Sequence, residues 1–262
     1  MPGVMDDWPA PAGAPTLAPG EVHAWRAWLD LAPDTLAHLA ETLSEDERER
    51  AARFRPERHR RRFIAAHGAL RAILALYLGC PAAAIRFGRG PRGKPMLLDP
   101  PGSLDVRFNL AHSRDLALCV VARDAEVGAD VEAIRAVPDA DKVVERFFSA
   151  REQAMLRELP AGEREEAFVL GWTRKEAYLK ALGDGLARPL SGFSVTLRPG
   201  EPARLLEVQG QPHEVERWSL VALHPAPGYA AAVAVEGPLR RLVQWSWVPG
   251  GQEAAGEGAS RL

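Results

Sequence analysis

Two short stretches of this chain carry side chains able to hold a cation and a phosphate. Gly128-Ala129-Asp130-Val131-Glu132 reads as a strand. Alternate residues of a strand share a side, so Asp130 and Glu132 set two carboxylates on one face. Trp172-Thr173-Arg174-Lys175-Glu176-Ala177-Tyr178-Leu179-Lys180 reads as a helix. Residues four apart on a helix are neighbours, so Glu176 and Lys180 stand one turn apart. Three carboxylates meeting an ammonium suit a hard divalent cation that in turn holds a diphosphate. Each pair also has an ordinary reading, as a solvated strand face or a helix-surface ion pair worth about 0.3–0.5 kcal/mol. The setting argues against it. Val127, Ala129, Val131 and Ile134 frame the acids, and acids framed this way must be paired, metal-bound or at an edge.

Further candidates lie in the first half of the chain. Phe108-Asn109-Leu110-Ala111-His112-Ser113 reads as a strand ending in a polar turn, with His112 able to donate to a phosphate oxygen. Arg53, Arg55, Arg58, Arg60, Arg61 and Arg62 form a basic run. It suits phosphate capture by guanidinium forks, or a solvated face balanced by Glu45, Glu47, Glu49 and Glu57. A nucleic-acid patch would need interleaved aromatic platforms, which the run lacks. Gly93-Lys94-Pro95 sets a lysine in a rigid turn, where it suits phosphates or a base edge. The phosphate-binding Gly-Lys-Ser/Thr loop and the Gly-x-Ser-x-Gly elbow are missing from the sequence, and Gly88-Arg89-Gly90-Pro91-Arg92-Gly93, which has the glycine spacing of the dinucleotide fingerprint, reads as a turn between short strands.

These residues need elements to hold them. Residues 1–20 read as a flexible, Pro/Ala/Gly-rich lead-in. Val22 to Leu29 suits a strand. Ser44-Glu45-Asp46-Glu47 is a capping box starting a helix near Glu45, which Pro56 interrupts. A second helix spans about Arg58 to Leu78 and stops at Gly79. Short strands follow near 84–87, 95–98, 106–110 and 117–122. Beyond the Asp130 strand, helices are expected over 142–148, from the capping box Ser149-Ala150-Arg151-Glu152, and over 163–182. Strands are then expected near 193–197, 204–208, 216–223 and 229–235. Helix followed by antiparallel strands thus occurs twice. Lobes of 21–124 and 125–240 result, with 241–262 a partly disordered extension.

The chain of 262 residues is 47% hydrophobic with a net charge of -2, so bulk attraction to nucleic acid or membrane is not expected. Two cysteines give no disulfide framework or zinc spacing, and both read as buried thiols. No apolar run approaches the roughly 20 residues that span a bilayer. The chain reads as soluble and cytoplasmic.

Taken in order, Gly93-Lys94-Pro95, the Phe108–Ser113 and Gly128–Glu132 segments, Arg146-Phe147-Phe148-Ser149-Ala150-Arg151-Glu152 and Trp172 through Leu186 resemble the Sfp-type 4′-phosphopantetheinyl transferases. The form Trp172-x-x-Lys175-Glu176-Ala177 resembles the subgroup serving polyketide and nonribosomal peptide synthetases. The resemblance implies an α+β fold of two similar, pseudo-twofold lobes, each a long helix packed on a small antiparallel sheet, with the active site between them. It implies transfer of the phosphopantetheine arm from coenzyme A to a serine of an acyl or peptidyl carrier protein of polyketide, nonribosomal peptide or fatty acid synthases. Asp130, Glu132 and Glu176 match the family's Mg²⁺ carboxylates, Glu176 also a base, and Lys180 a diphosphate contact. His112 and Arg62 match phosphate contacts of coenzyme A, Arg50 and Arg53 lie near the 3′-phosphate, and Lys94 is at the adenine end. Ala111 replaces the family's usual Ser, which implies weaker coenzyme A binding by one hydrogen bond of about 0.5–1.5 kcal/mol. A monomer is expected. The rival readings are a metal-dependent phosphohydrolase or nuclease, and a non-enzymatic Arg-patch nucleic-acid-binding module.

Overall fold

The computed structural model describes residues 8–90, 93–100, 105–183 and 188–251. The first half runs β1 (Glu21–Trp28), α1 (Pro33–Thr42), α2 (Glu45–Ala52), α3 (Glu57–Leu78), β2 (Arg86–Arg89), β3 (Pro95–Leu98), β4 (Val106–Ser113) and β5 (Leu116–Arg123). The second runs β6 (Val127–Ala133), α4 (Ala140–Phe147), α5 (Ala150–Glu158), α6 (Ala161–Leu182), β7 (Phe193–Val195), β8 (Leu205–Val208), α7 (Glu214–Arg217), β9 (Trp218–Leu223), β10 (Tyr229–Glu236) and β11 (Arg241–Ser246). This is an α+β fold in two lobes. One is built on the sheet β11-β1-β5-β4, the other on β6-β10-β9.

Local chemistry explains the helix ends. Ser44 accepts from the Glu47 amide while Glu47 Oε2 accepts from the Ser44 amide, and Ser149 with Glu152 does the same at α5. The two 22-residue helices, α3 and α6, both stop at a left-handed glycine, Gly79 and Gly183.

The two sheets pack through an apolar seam. Val22, Ala24, Leu118 and Val120 of the first lobe meet Val127, Val131, Val233 and Val235 of the second. Each fully buried valine contributes about 1.5–3 kcal/mol relative to exposure. The far face of the first sheet carries Trp25, Ala27, Cys119 and Val121 under Ala66, Ala69 and Ile73 of α3. In the second lobe, Ala177 and Ala181 of α6 pack on Ala232 and Ala234 of β10. The order is helix, sheet, sheet, helix.

Several expectations need correction. Residues 241–262 are not simply an extension, because 241–246 form β11 and pair in parallel with β1. The first sheet is therefore mixed rather than antiparallel. The lead-in packs where it is described: Trp8 and Leu17 are buried, and the Ser246 amide donates to Pro9 O. Helix α1 was not anticipated. His112 lies within β4 rather than in a turn, since the chain reverses only at Arg114 (φ 51°). Cys119 is buried, but Cys80 is only half-buried. Residues 184–187, including Asp184 and Gly185 of the expected turn, lie outside the described residues, as do 252–262.

Candidate active site

Helix α6 lies unusually close to β6, and one glycine permits it. A Cβ on Gly128 would stand 2.2 Å from the Ala181 nitrogen and 2.3 Å from the Ala177 oxygen, both backbone atoms of α6. Asp130 and Glu132 share the side of β6 that Gly128 occupies, by the two-residue strand period. The close approach therefore lays Glu176 and Lys180 along the same acids.

The centre of the site is one carboxylate in two states of satisfaction. Lys180 Nζ donates to Asp130 Oδ1 at 2.6 Å, while Asp130 Oδ2 is buried without a hydrogen-bond partner among the described residues. Asp130 is only 5% exposed. Burial pushes its pKa up to about 7; Lys180 opposes this, and the charges of Glu132 and Glu176 add to it. Burial likewise raises Glu176, with Lys180 pulling it down and Glu132 pushing it further up. The three acids thus repel one another around an orphaned oxygen, a situation that an added cation relieves. Among the described residues no three His, Cys, Asp or Glu side chains are already arranged to hold a metal ion. The donor set is hard oxygen throughout, which fits Mg²⁺ rather than a softer metal.

The first lobe supplies the opposite wall. Ser113 Oγ, at the end of β4, donates to Glu132 Oε2 at 2.6 Å. His112 beside it has an exposed edge, yet partial desolvation lowers its pKa, and electrostatic repulsion from His67, Lys180, Arg62 and His59 lowers it further. Arg62 Nε donates to Asp115 Oδ1 at 2.8 Å, so its guanidinium is braced next to His112 rather than loose. Ala111 is buried in the apolar seam.

A separate cavity of about 1030 Å³ in the first lobe is lined among others by Arg50, Arg53, Arg89, Phe87, Phe108 and Asn109, and by none of the three acids. Strand β4 links it to His112, three residues beyond Asn109, or about 10 Å at a strand's rise. Arg50 lies 5.5 Å over the Phe63 ring, which itself stacks on His67, and Arg53 is exposed beside Glu49 at 3.6 Å. The floor holds an ionic group the sequence did not reveal. Glu47 accepts from His67 Nδ1 at 2.9 Å and from Arg71 Nε at 2.7 Å. Burial would raise Glu47, but the bonds from His67, Ser44 and Arg71 hold it at about 2. The signal was available: Arg71 falls in the apolar stripe of α3, between Leu70 and Ile73.

Lys94 is placed differently from the expectation of a phosphate or base contact. Lys94 Nζ donates to Glu126 Oε2 (2.6 Å), Val127 O (3.0 Å) and Ala181 O (2.9 Å), which uses all of an ammonium's three donors. It joins the β2–β3 hairpin region to β6 and the last turn of α6, and does not line the cavity. Lys175, adjacent to Glu176, points the other way. It is fully buried, with both Glu152 oxygens at 2.9 and 2.7 Å and Phe193 O at 2.7 Å. Asp130, Glu132, Glu176, Lys180 and His112 are thus brought into one neighbourhood, with Arg62 beside it. Arg50 and Arg53 gather at the cavity, and Lys94 stands at the seam.

Comparison with known proteins adds to this geometry. The family described as 4′-phosphopantetheinyl transferase, N-terminal, matches residues 26–125, and the 4′-phosphopantetheinyl transferase superfamily matches residues 126–234. The chain is 45% identical over 222 residues to the 4′-phosphopantetheinyl transferase HetI of Nostoc, covering 85% of this chain and 90% of that protein. It is 29% identical to the 4′-phosphopantetheinyl transferase Sfp of Bacillus subtilis, over 75% of this chain and 83% of the relative. Among solved structures, Thermotoga maritima holo-[acyl-carrier-protein] synthase aligns with a TM-score of 0.35 at 26% identity, covering 43% of this chain and 63% of its own.

Proposed function

Because the chain belongs to the 4′-phosphopantetheinyl transferase superfamily, we propose that Asp130, Glu132, Glu176 and Lys180 carry the transfer of the phosphopantetheine arm from coenzyme A to a carrier-protein serine, with Mg²⁺ as the metal. The observation that carries the reading is Asp130, whose one oxygen meets the Lys180 ammonium while the other is buried and unpartnered among the described residues. When bound, Mg²⁺ would neutralise the charge of the diphosphate, which otherwise repels an incoming oxygen. Asp130, Glu132 and Glu176 would hold it.

The remaining roles belong to the chain itself. The serine oxygen attacks the phosphorus that bears the pantetheine arm, and the bond from that phosphorus to the leaving 3′,5′-ADP breaks. Glu176, whose carboxylate lies in the same acidic cluster, is suited to take the serine proton. Lys180 offsets charge on the diphosphate as the leaving group departs. His112 and Arg62 contact coenzyme A phosphates. Arg50 and Arg53, at the cavity mouth, attract the 3′-phosphate. Lys94, which the resemblance puts at the adenine end, has its three donors occupied at the seam and would have to release one of them to contact coenzyme A. Positioning and fixed charge supply most of the acceleration, as in other phosphoryl transfers.

The carrier proteins are those of polyketide, nonribosomal peptide or fatty acid synthases, and the enzyme acts as a monomer in the cytoplasm. Among the described residues no helix is long and apolar enough to cross a membrane. The test is to incubate the protein with coenzyme A, Mg²⁺ and a purified apo-carrier protein and to weigh the carrier. The expected result is a mass gain of one phosphopantetheine that EDTA abolishes. A folded preparation that loads no carrier overturns the reading of the reaction. Loading that survives EDTA overturns the metal.

A further inference from the structure

We infer that Ser113 is a positioning residue that aims Glu132 at the cation, an inference resting on the metal reading above. Ser113 Oγ makes two bonds across the seam between lobes. It donates to Glu132 Oε2 at 2.6 Å and accepts from the Ala133 amide at 3.3 Å. A serine hydroxyl has one proton and two lone pairs. With the Ala133 N–H on a lone pair, the O–H is left to point at the carboxylate. At 2.6 Å the bond lies in the range of charge-assisted O–H···O⁻ contacts, about twice the strength of neutral ones.

The bond engages one Glu132 oxygen and leaves Oε1 for other partners. Glu132 is half-buried at the cleft edge, on a side chain that would otherwise turn among rotamers. Four residues earlier on the same strand, Asn109 Oδ1 accepts from the Ala129 amide at 3.0 Å, four residues earlier on β6. Strand β6 bonds to β10 along one edge. The amides of Ala129 and Ala133 are met by side chains of β4. Asn109 and Ser113 are therefore a matched pair of contacts at the same spacing on both strands. Only Ser113 extends its contact to a site carboxylate. It sets the Glu132 head group from the opposite lobe, so the acid's direction depends on how the lobes seat together.

The experiment compares Ser113→Thr with Ser113→Val, which have nearly equal volume and differ in the hydroxyl. Mn²⁺ is titrated by electron paramagnetic resonance into each protein with coenzyme A, without carrier. Partners that orient a metal ligand typically account for 10–100-fold in affinity. Ser113→Val is expected to weaken Mn²⁺ binding by about 10- to 100-fold and to raise the metal concentration needed for half-maximal rate more than it lowers kcat. Ser113→Thr is expected to stay close to wild type. In a Glu132→Gln background the Thr/Val difference should disappear. Equal Mn²⁺ affinity for the two variants, or a difference that persists without the Glu132 carboxylate, overturns the inference alone. Wild-type protein that loads a carrier yet binds no Mn²⁺ overturns the metal reading and this inference with it.

Discussion

Lys180 Nζ stands 2.6 Å from Asp130 Oδ1, and the other oxygen of the same carboxylate is buried with no partner among the described residues. The pair is closed on one side and open on the other. An acid that is 5% exposed, with Glu132 and Glu176 repelling it, gains from any cation that reaches the open side. Stability of the acid cluster and readiness for a metal–diphosphate complex are opposed here, as is usual for functional clusters of like charge.

Glu176→Gln tests that opposition. The substitution removes a carboxylate whose ionised form is disfavoured by burial and by Glu132. The expected outcome is a melting temperature equal to or above wild type together with a kcat lowered by about 10²–10⁴-fold, the usual contribution of a positioned acid or base. Calorimetry and a carrier-loading assay on the same preparation check it. Near-wild-type turnover would remove Glu176 from the chemistry.

Gly128→Ala probes the approach of α6 to β6. The added Cβ meets backbone rather than a side chain that could swing away, at 2.2 Å from the Ala181 nitrogen. The helix must shift, at a cost of about 1–3 kcal/mol, and Glu176 and Lys180 shift with it. Both melting temperature and kcat should fall. Gly162→Ala, in the first turn of the same helix with nothing within 4 Å of its Cβ, is the control. It should be neutral or slightly stabilising.

Lys175→Met should unfold the second lobe more easily without touching the site acids directly. It leaves Glu152 buried and uncompensated, though still receiving the Ser149 and Val195 amides. Breaking a buried pair costs about 3–5 kcal/mol, which corresponds to a melting temperature lower by roughly 6–20 °C for a chain of this size. Adding Glu152→Gln should recover part of the loss, because the unpaired charge is gone. Loss of activity at a temperature where the variant remains folded would show that Lys175 serves the reaction as well.

The acid limb of stability should depend on Glu47. Its pKa is held at about 2 in the folded chain, below its ordinary value of 4.5. A depressed acid contributes stability that is present above the unfolded value and is lost as pH falls from about 4.5 towards 2. Denaturant unfolding at pH 6 and at pH 3 should therefore show a steeper loss for wild type than for Glu47→Gln. Equal slopes would mean that the bonds from His67, Ser44 and Arg71 leave Glu47 unstabilised. The same variant should weaken coenzyme A binding, since His67 and Arg71 lose the anion that orders them.

Local order was largely legible from the residues. Capping boxes at Ser44 and Ser149, terminating glycines at 79 and 183, and the alternation around Asp130 each act within a few residues, so they mark elements before anything packs. Even the unanticipated α1 had its signals in Pro33 at the start and Leu36 and Leu39 on one face. What spacing alone could not supply was meeting across the chain. Val22 pairs with Leu242, Ser113 with Glu132, Lys94 with Ala181, and Lys175 with Glu152. Those partners lie far apart along the backbone and are selected by which faces remain to be buried once two sheets close on each other. The residue types around Asp130 and Glu176 therefore determine what chemistry is available. The packing of α6 on β6, and of β4 against β6, decides which oxygen is satisfied, which is left open, and which lysine is occupied elsewhere.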